Sequence, residues 1–179
     1  VKRVSLVIGV DPGSRITGWG LVRRQDREIS YVGSGVIRAP GRLSVPQRLL
    51  AIRKGLAEVI VRFHPQELAV EDVFMAKNPK SMLTLGEARA VALLAAAEAE
   101  IPVFEYSTRE VKMSVVGAGA AHKSQVAAMV GRLLRLDHEP ETEDETDAIA
   151  VAFCHATRAG GVGGRLGAVT AADGGGTRR

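Results

Sequence analysis

Four carboxylates stand at positions where folding could bring them together. Asp11 ends the apolar run VSLVIGVD, and Glu71 lies inside the apolar run ELAVEDV. Asp144 and Asp147 stand three residues apart near the start of a helical pattern, so they share one helix face. Carboxylate oxygens select Mg²⁺ or Mn²⁺ over zinc, and two such ions about 4 Å apart can drive an in-line phosphodiester displacement.

Each acid also has an explanation that involves no metal. Asp11-Pro12-Gly13 is typical of a turn whose aspartate caps its own backbone. Asp144 fits the first turn of a capped helix, where acids complement the helix dipole. Glu71 has no turn or cap role inside an apolar strand, and Asp147 lies beyond the first helical turn. The spacing alone leaves both a metal site and a set of local structural roles open.

The distribution of charge favours a polyanionic partner with a local cation site. The chain has 179 residues, a formal net charge of +4 at pH 7 and a sequence pI of about 9.6. Residues 1–62 contain twelve Lys or Arg and four Asp or Glu, whereas residues 137–147 contain seven acids and neither Lys nor Arg. A basic body is typical of proteins that bind nucleic acid, although many soluble proteins are as basic. An acidic run is also typical of a solvated loop, so composition does not decide between the two.

The single cysteine, Cys154, excludes an intramolecular disulfide and a cysteine zinc cluster, and its apolar surroundings predict a buried side chain. The sequence contains no run of 18 apolar residues and no charged-then-apolar leader. We therefore expect a cytoplasmic protein that has no membrane partner.

Apolar periodicity predicts three strands followed by alternating helices and strands. Strands are expected at 4–11, 16–24, 28–40, 67–73 and 102–106, the first three as an antiparallel meander. Helices are expected at about 45–63, 81–100, 108–116, 123–136 and 143–158, with a loop at 74–80 and with Thr142 and Glu145 capping the last helix. This order predicts an α/β domain with a mixed five-stranded sheet over residues 1–158. The Gly-rich tail, 159–179, has little apolar surface and is expected to be disordered.

Small side chains mark one stripe of the helix expected at 81–100. A second helix could approach this stripe closely, either in a homodimer or within the chain, and the sequence leaves both open. The stripe consists of Ala88, Ala92, Ala95, Ala96 and Ala99.

Four longer motifs resemble those of one family. They are GVDPGSRITGWG at 9–20, AVEDVFMAKNPKSMLTLGEARA at 69–90, YSTREVKMSVVGAGAAHKSQV at 106–126 and EDETDAIAVAFCHA at 143–156. In order and spacing they are similar to the motifs of the RuvC-type Holliday junction resolvases, within the RNase H-like superfamily, and they cover nearly all of the chain before the tail.

The resemblance implies an RNase H-like fold and a crossover junction endodeoxyribonuclease of recombination and DNA repair. Such an enzyme nicks two opposed strands of a four-way junction symmetrically, with divalent metal, Mg²⁺ or Mn²⁺, at two ions per site. The resemblance also implies a homodimer, because paired incisions need two sites, and coupling to the RuvA–RuvB branch-migration complex.

The resemblance also assigns roles to single residues. The metal-binding and catalytic acids that it implies are Asp11, Glu71, Asp144 and Asp147. Phe74 matches an aromatic residue that the family uses at the junction, where its ring could stack on an unpaired base.

Basic residues beside these motifs are expected to contact DNA. Lys112 and Lys123 match positions that contact the DNA near the scissile phosphate, and Lys123 could stabilise phosphate charge in the transition state. Further phosphate contacts are expected at Arg15, Lys77 and Lys80. His122 is expected to be an exposed helix-capping residue, whereas an outer role around the metal remains open for Glu143 and Glu145.

Three other functions share parts of this pattern. An actin-like phosphotransferase also opens with a strand and an Asp-x-Gly turn, but its fold needs two such domains. A non-catalytic DNA-binding subunit would use the acids only as caps and turns, although carboxylates facing a phosphate backbone would not help it bind. Another RNase H-like nuclease could act on RNA–DNA hybrids or flaps, and only the resemblance at Phe74 favours junctions.

Overall fold

The computed structural model describes residues 4–72 and 79–158, except for the side chain of Lys80. Within these residues one sheet has the strand order β3-β2-β1-β4-β5. The strands are β1 (Val4–Asp11), β2 (Ile16–Gln25), β3 (Glu28–Arg38), β4 (Glu67–Glu71) and β5 (Val103–Tyr106). Strands β1, β2 and β3 pair antiparallel, whereas β4 runs parallel to β1 and β5 runs parallel to β4. The mixed sheet and the antiparallel meander expected from the sequence are confirmed.

Helices cover both faces of the sheet. They are α1 (Val45–Phe63), α2 (Pro79–Glu98), α3 (Thr108–Val116), α4 (Lys123–Leu134) and α5 (Glu143–Arg158). Helices α1 and α2 share a buried core with Ile8, Leu21 and Leu68 on one face, whereas α3, α4 and α5 share a core with Val7 and Ala69 on the other. None of the helices described is both long enough and apolar enough to cross a membrane.

The boundaries of α1 and α2 follow from their proline neighbours. Helix α1 ends at His64, which is left-handed (φ 50°, ψ 54°) and donates its N–H to the Ile60 carbonyl. Pro65 follows directly and disfavours helical backbone before it, which explains why the helix ends where it was expected to, at residue 63. Helix α2 begins at Pro79, two residues earlier than predicted. A proline is well suited to the first helical position, because its φ is already fixed and it has no N–H to satisfy.

The alanine stripe of α2 is used within the chain. Ala88, Ala92 and Ala96 are completely buried and Ala95 is 3% exposed, in the same core as α1. Ala99 lies beyond the end of the helix and is exposed. Intrachain packing is therefore the role of the buried alanines, and any partner of α2 has to use its outer face.

Candidate active site

Asp11 and Glu71 lie side by side on neighbouring parallel strands. Val10 on β1 pairs with Val70 on β4, and each acid is the next residue along its strand. Side chains alternate across a strand, so both acids face the side opposite to Val10 and Val70, which belong to the α1–α2 core. Both acids therefore stand at the carboxyl ends of their strands, on the face that α5 covers.

Helix α5 lies almost directly on β1 and β2 because three glycines leave room for its backbone. A Cβ on Gly18 would stand 1.9 Å from the carbonyl oxygen of Asp144, and one on Gly9 would stand 2.1 Å from that of Ala148. A Cβ on Gly20 would stand 2.7 Å from the Cα of Ile149. Since Gly18 is the pairing partner of Asp11, this close approach delivers the first turn of α5 to the end of β1.

The electrostatics of Asp11 show that the four predicted acids are gathered. Burial, followed in order by the carboxylates of Asp147, Asp144 and Glu71, raises the pKa of Asp11 to about 7, against the opposing charge of Lys123. Burial also raises the pKa of Glu71. Like charges held together out of water destabilise the ionised forms, and a cation among them would relieve this repulsion.

The donor set of this cluster fits a hard divalent cation, although its side chains do not yet enclose one. In the described parts of the chain, no three acidic, His or Cys side chains converge closely enough to hold an ion. Two of the acids have other partners: Asp147 contacts Lys123, and the Thr108 hydroxyl donates to Glu71 Oε1. The oxygen-only donors and their mutual repulsion, which Lys123 offsets only in part, nevertheless favour such an ion.

Two predicted lysines flank the acids. Lys123 begins α4, and its Nζ lies 3.0 Å from Asp147 Oδ2 and 3.5 Å from Glu143 Oε2. The hydrogen bond to Asp147 raises the pKa of the Lys123 ammonium group. Lys112 on α3 is half-buried, and its charge acts to lower the pKa of Glu71. Both lysines are thus placed where a phosphate bound at the acids would meet positive charge.

The loop after β1 is held by a buried hydroxyl. Thr17 Oγ1 donates to the Gly13 carbonyl at 2.9 Å, and Thr17 is completely buried. Arg15 is exposed in this loop, and its guanidinium lies against Gly41 at the start of the segment before α1. Two other predicted DNA contacts, Phe74 and Lys77, lie outside the described residues, as does the side chain of Lys80.

The remaining predicted positions near the acids have distinct surroundings. His122 is exposed and caps α4, its backbone N–H donating to Gln125 Oε1 at 2.8 Å, as expected. Glu143 is exposed beside Lys123. Glu145, in contrast, is only 4% exposed and faces β3. The Thr142 half of the predicted cap of α5 is present, since Thr142 Oγ1 accepts the N–H of Glu145 at 3.2 Å. The side chain of Glu145 does not complete the cap, because it accepts from Ser34 and from the backbone N–H of Glu141 instead.

Sequence reasoning missed Thr108 and the three glycines. Thr108 is the first residue of the helix predicted at 108–116, and nothing in the sequence shows that its hydroxyl reaches Glu71. Glycines in strands often mark a close backbone approach, and GWG at 18–20 carries that signal.

This combination of sheet and site defines a nuclease of the RNase H-like class: a mixed five-stranded sheet whose adjacent strand ends carry acids beneath a helix that carries two more. The family model described as "Crossover junction endodeoxyribonuclease RuvC" matches residues 7–155. The chain belongs to the RuvC family, whose members are divalent-metal-dependent nucleases.

Relatives and solved structures agree with this assignment. The crossover junction endodeoxyribonuclease RuvC of Histophilus somni (strain 129Pt) is 52% identical over 153 residues, which cover 86% of this chain and 80% of the relative. The structure of T. thermophilus RuvC in complex with Holliday junction substrate matches with a TM-score of 0.81 at 32% identity, covering 87% of this chain and 94% of that one. The yeast mitochondrial Holliday junction resolvase Ydc2 shares the fold, with a TM-score of 0.59 at 12% identity over 84% of this chain and 77% of that one. Family membership excludes the actin-like phosphotransferase and the non-catalytic subunit as alternatives.

Proposed function

We propose that this chain resolves Holliday junctions by hydrolysing one phosphodiester bond in each of two opposed strands, with Asp11, Glu71, Asp144 and Asp147 as its metal-binding and catalytic acids. The observation that carries this proposal is the neighbouring position of Asp11 and Glu71 at the ends of β1 and β4, near enough to Asp144 and Asp147 of α5 for these carboxylates to raise the pKa of Asp11, in a chain of the RuvC family. We further propose Mg²⁺ as the ion, with Mn²⁺ as a substitute, and two ions per site.

The chain's own residues define what happens at the scissile phosphate. Divalent ions, when bound by the four acids, supply a water of lowered pKa and stabilise the leaving oxygen. Lys123 stands beside Asp147 with an exposed ammonium group, whose positive charge would stabilise the charge that develops on the phosphate. Lys112 holds positive charge on the Glu71 side of the cluster. Arg15, Lys77 and Lys80 hold the neighbouring backbone, and Phe74 stacks on an unpaired base.

We propose that the chain acts as a homodimer, because two opposed strands need two sites. The outer face of α2 supports this, since Met82, Leu83 and Leu94 are 45%, 66% and 50% exposed there. These residues follow the spacing of one helix face, with the small Gly86 and Ala90 between them. Leu83→Lys together with Leu94→Lys is expected to yield monomers in light scattering, whereas an unchanged mass would place the interface elsewhere.

We extend the proposal to a partnership with the RuvA–RuvB complex, to be tested by co-sedimentation with RuvA–RuvB on a junction.

The decisive experiment compares Asp11→Asn with the wild type on a synthetic four-way junction and on a linear duplex, in Mg²⁺. The variant is expected to lose cleavage but to keep junction binding, and the wild type should cut the junction in preference to the duplex. Asp26→Asn is a matched control, because Asp26 is exposed in the β2–β3 turn at φ 56°, a conformation that asparagine tolerates. Cleavage by Asp11→Asn at the wild-type rate would refute the four-acid site. Equal cutting of duplex and junction would point instead to an RNase H-like nuclease of another specificity.

We also propose residues 1–158 as the nuclease domain and 159–179 as a dispensable tail. Helix α5 ends at Arg158 and the family match ends at residue 155, which supports this boundary. Deletion after Gly160 is expected to leave the cleavage rate unchanged, and a large loss would show that the tail takes part.

A further inference from the structure

The edge strand β3 is joined to the segment that leads into α5 by three polar contacts. Tyr31 Oη lies 3.4 Å from His138 Nε2, and Ser34 Oγ donates to Glu145 Oε1 at 2.5 Å. A third contact is the exposed ion pair between Arg38 and Glu141. Tyr31 Oη also lies 2.8 Å from Ser34 Oγ, so the first two contacts are continuous. Together they tie the sheet edge to residues 138–145.

A β-bulge makes this arrangement possible. Val22 pairs with Tyr31 and Leu21 pairs with Gly33, so Val32 is the extra residue on β3. Residues three apart on a regular strand face opposite sides, but one extra residue restores a common face. Tyr31 and Ser34 therefore both point toward α5, while Val32 packs in the α1–α2 core.

Glu145, which accepts the contact from Ser34, is a buried carboxylate. It is 4% exposed, and besides Ser34 it accepts the backbone N–H of Glu141 through Oε2 at 2.6 Å. A buried charge is costly unless hydrogen bonds satisfy it, so each of these donors matters. The bond from Ser34 holds Glu145 against β3. The bond from the backbone N–H of Glu141 holds the segment just before α5 against the first turn of the helix. The first turn of α5 is thereby held in both position and rotation.

Glu145 sits between the two acids of α5. Asp144 precedes it directly and Asp147 follows two residues later. Residues one and two apart point in different directions on a helix, so a side chain fixed on β3 sets where the acids point. The carbonyl of Asp144 already lies against Gly18, which limits how the helix can relax if this anchor is lost.

We propose that Glu145 is a positioning residue for the metal site: its hydrogen bond from Ser34 sets the rotation of α5 that turns Asp144 and Asp147 toward Asp11. This inference rests on the proposed function, because it presumes that these acids bind the metal. Glu145 itself does not touch the ion or the substrate. Glu145 acts on the two acids through the backbone of α5. The β3 bulge makes this possible, because it turns Ser34 toward α5.

The test is isothermal titration calorimetry with MgCl₂ on the full chain without DNA, at a temperature where circular dichroism shows every variant to be folded. Ser34→Ala is expected to weaken Mg²⁺ binding about tenfold, the size of effect typical of groups that orient metal ligands. Ser34→Thr keeps the hydroxyl and should bind within threefold of the wild type. Tyr31→Phe is the matched control, because it removes a neighbouring hydroxyl of the same cluster but leaves the bond between Ser34 and Glu145.

Distinct results separate the inference from the function on which it rests. If Ser34→Ala binds Mg²⁺ as the wild type does, or if Tyr31→Phe weakens binding equally, Glu145 has only a structural role and the inference is overturned. If the wild type binds no Mg²⁺, or Asp11→Asn binds as tightly as the wild type, the proposed metal site itself fails. Weakened binding in Ser34→Ala, restored in Ser34→Thr and unchanged in Tyr31→Phe, supports the inference.

Discussion

The ammonium group of Lys123 lies 3.0 Å from Asp147 Oδ2, joining the start of α4 to the face of α5 that carries the proposed metal-binding acids. A cation of the chain thus offsets part of the charge that a metal ion would neutralise. The side chain of Lys123 is 65% exposed, so the ammonium can leave Asp147 without a large desolvation change. The same group can therefore meet Asp147 in one state and a phosphate in another.

Lys123→Ala is expected to separate metal binding from catalysis. Removing a competing cation should make Mg²⁺ binding about two- to fivefold tighter, the equivalent of a partly exposed ion pair. Junction cleavage should nevertheless fall by about 10²-fold, because a charge that stabilises the transition state is lost. Calorimetry and single-turnover cleavage measure the two effects. Weaker Mg²⁺ binding would show that Lys123 instead organises the acids.

Glu67 and Glu71 form a matched pair on one face of β4. Glu67 Oε2 lies 2.9 Å from Nε2 of the buried His155, at the end of the strand away from the acid cluster. Glu71→Gln is expected to abolish cleavage. Glu67→Gln should leave the cleavage rate unchanged and lower the free energy of unfolding by about 0.5–1 kcal/mol. This effect on stability is modest because Glu67 is half-buried. Loss of cleavage in Glu67→Gln would contradict this division.

The stabilising effect of Glu67 should depend on pH in a defined direction. The hydrogen bond with His155 lowers the pKa of Glu67, against the opposing effect of burial. Because the pKa of Glu67 is lower in the folded chain, the unfolded chain takes up the proton first as the pH falls. The stabilisation by Glu67 is therefore present above its unfolded pKa, near 4.5, and is lost as the pH falls through its folded pKa. The stability difference between the wild type and Glu67→Gln should therefore shrink between pH 6 and pH 3 in urea unfolding. A difference that grows on acidification would rule out this linkage.

Thr108 is expected to tune the metal site through Glu71. Thr108→Val keeps the shape of the side chain but removes the hydroxyl that donates to Glu71 Oε1. The Mg²⁺ concentration that gives half-maximal cleavage should rise about tenfold, with a smaller change in the maximal rate. Thr108→Ser retains the donor and should behave as the wild type. Equal Mg²⁺ dependence in all three proteins would remove Thr108 from the site.

Gly18 and Gly131 test the close approach of α5. A Cβ on Gly18 would collide with the Asp144 carbonyl, whereas one on Gly131, in α4, would meet no atom within 4 Å. Gly18→Ala is expected to destabilise the fold by about 1–3 kcal/mol and to reduce cleavage by about 10²-fold, because the acids of α5 are displaced. Gly131→Ala should stabilise the fold by about 0.5–1 kcal/mol without changing cleavage. Thermal unfolding and cleavage assays measure both, and normal cleavage by Gly18→Ala would show that the site tolerates displacement of α5.

Local sequence patterns determine part of this structure, and packing between residues that are distant in the sequence determines the rest. Apolar patterns place Asp11 at a strand end and helical spacing puts Asp144 and Asp147 on one face. They put Glu71 inside a strand expected at 67–73, whereas β4 ends at Glu71. Only the family resemblance singled out the four acids together. The direction of Glu145 could not be predicted, because it depends on a bulge at Val32 that shifts the strand by one residue. Helix α2 begins at Pro79, two residues before the predicted start, because a proline is equally compatible with a loop and with the first residue of a helix.

Contacts near its two ends fix both the length of helix α5 and its rotation about its own axis. Near its start it is bound to β3 through Glu145, and near its end it is bound to β4 through His155. Each added residue would advance the helix by about 1.5 Å and turn it by about 100°. An insertion or deletion between Glu145 and His155 would therefore detach one end whenever the other stayed in place. The number of residues between these two positions cannot change without separating the acids from the sheet that completes their site.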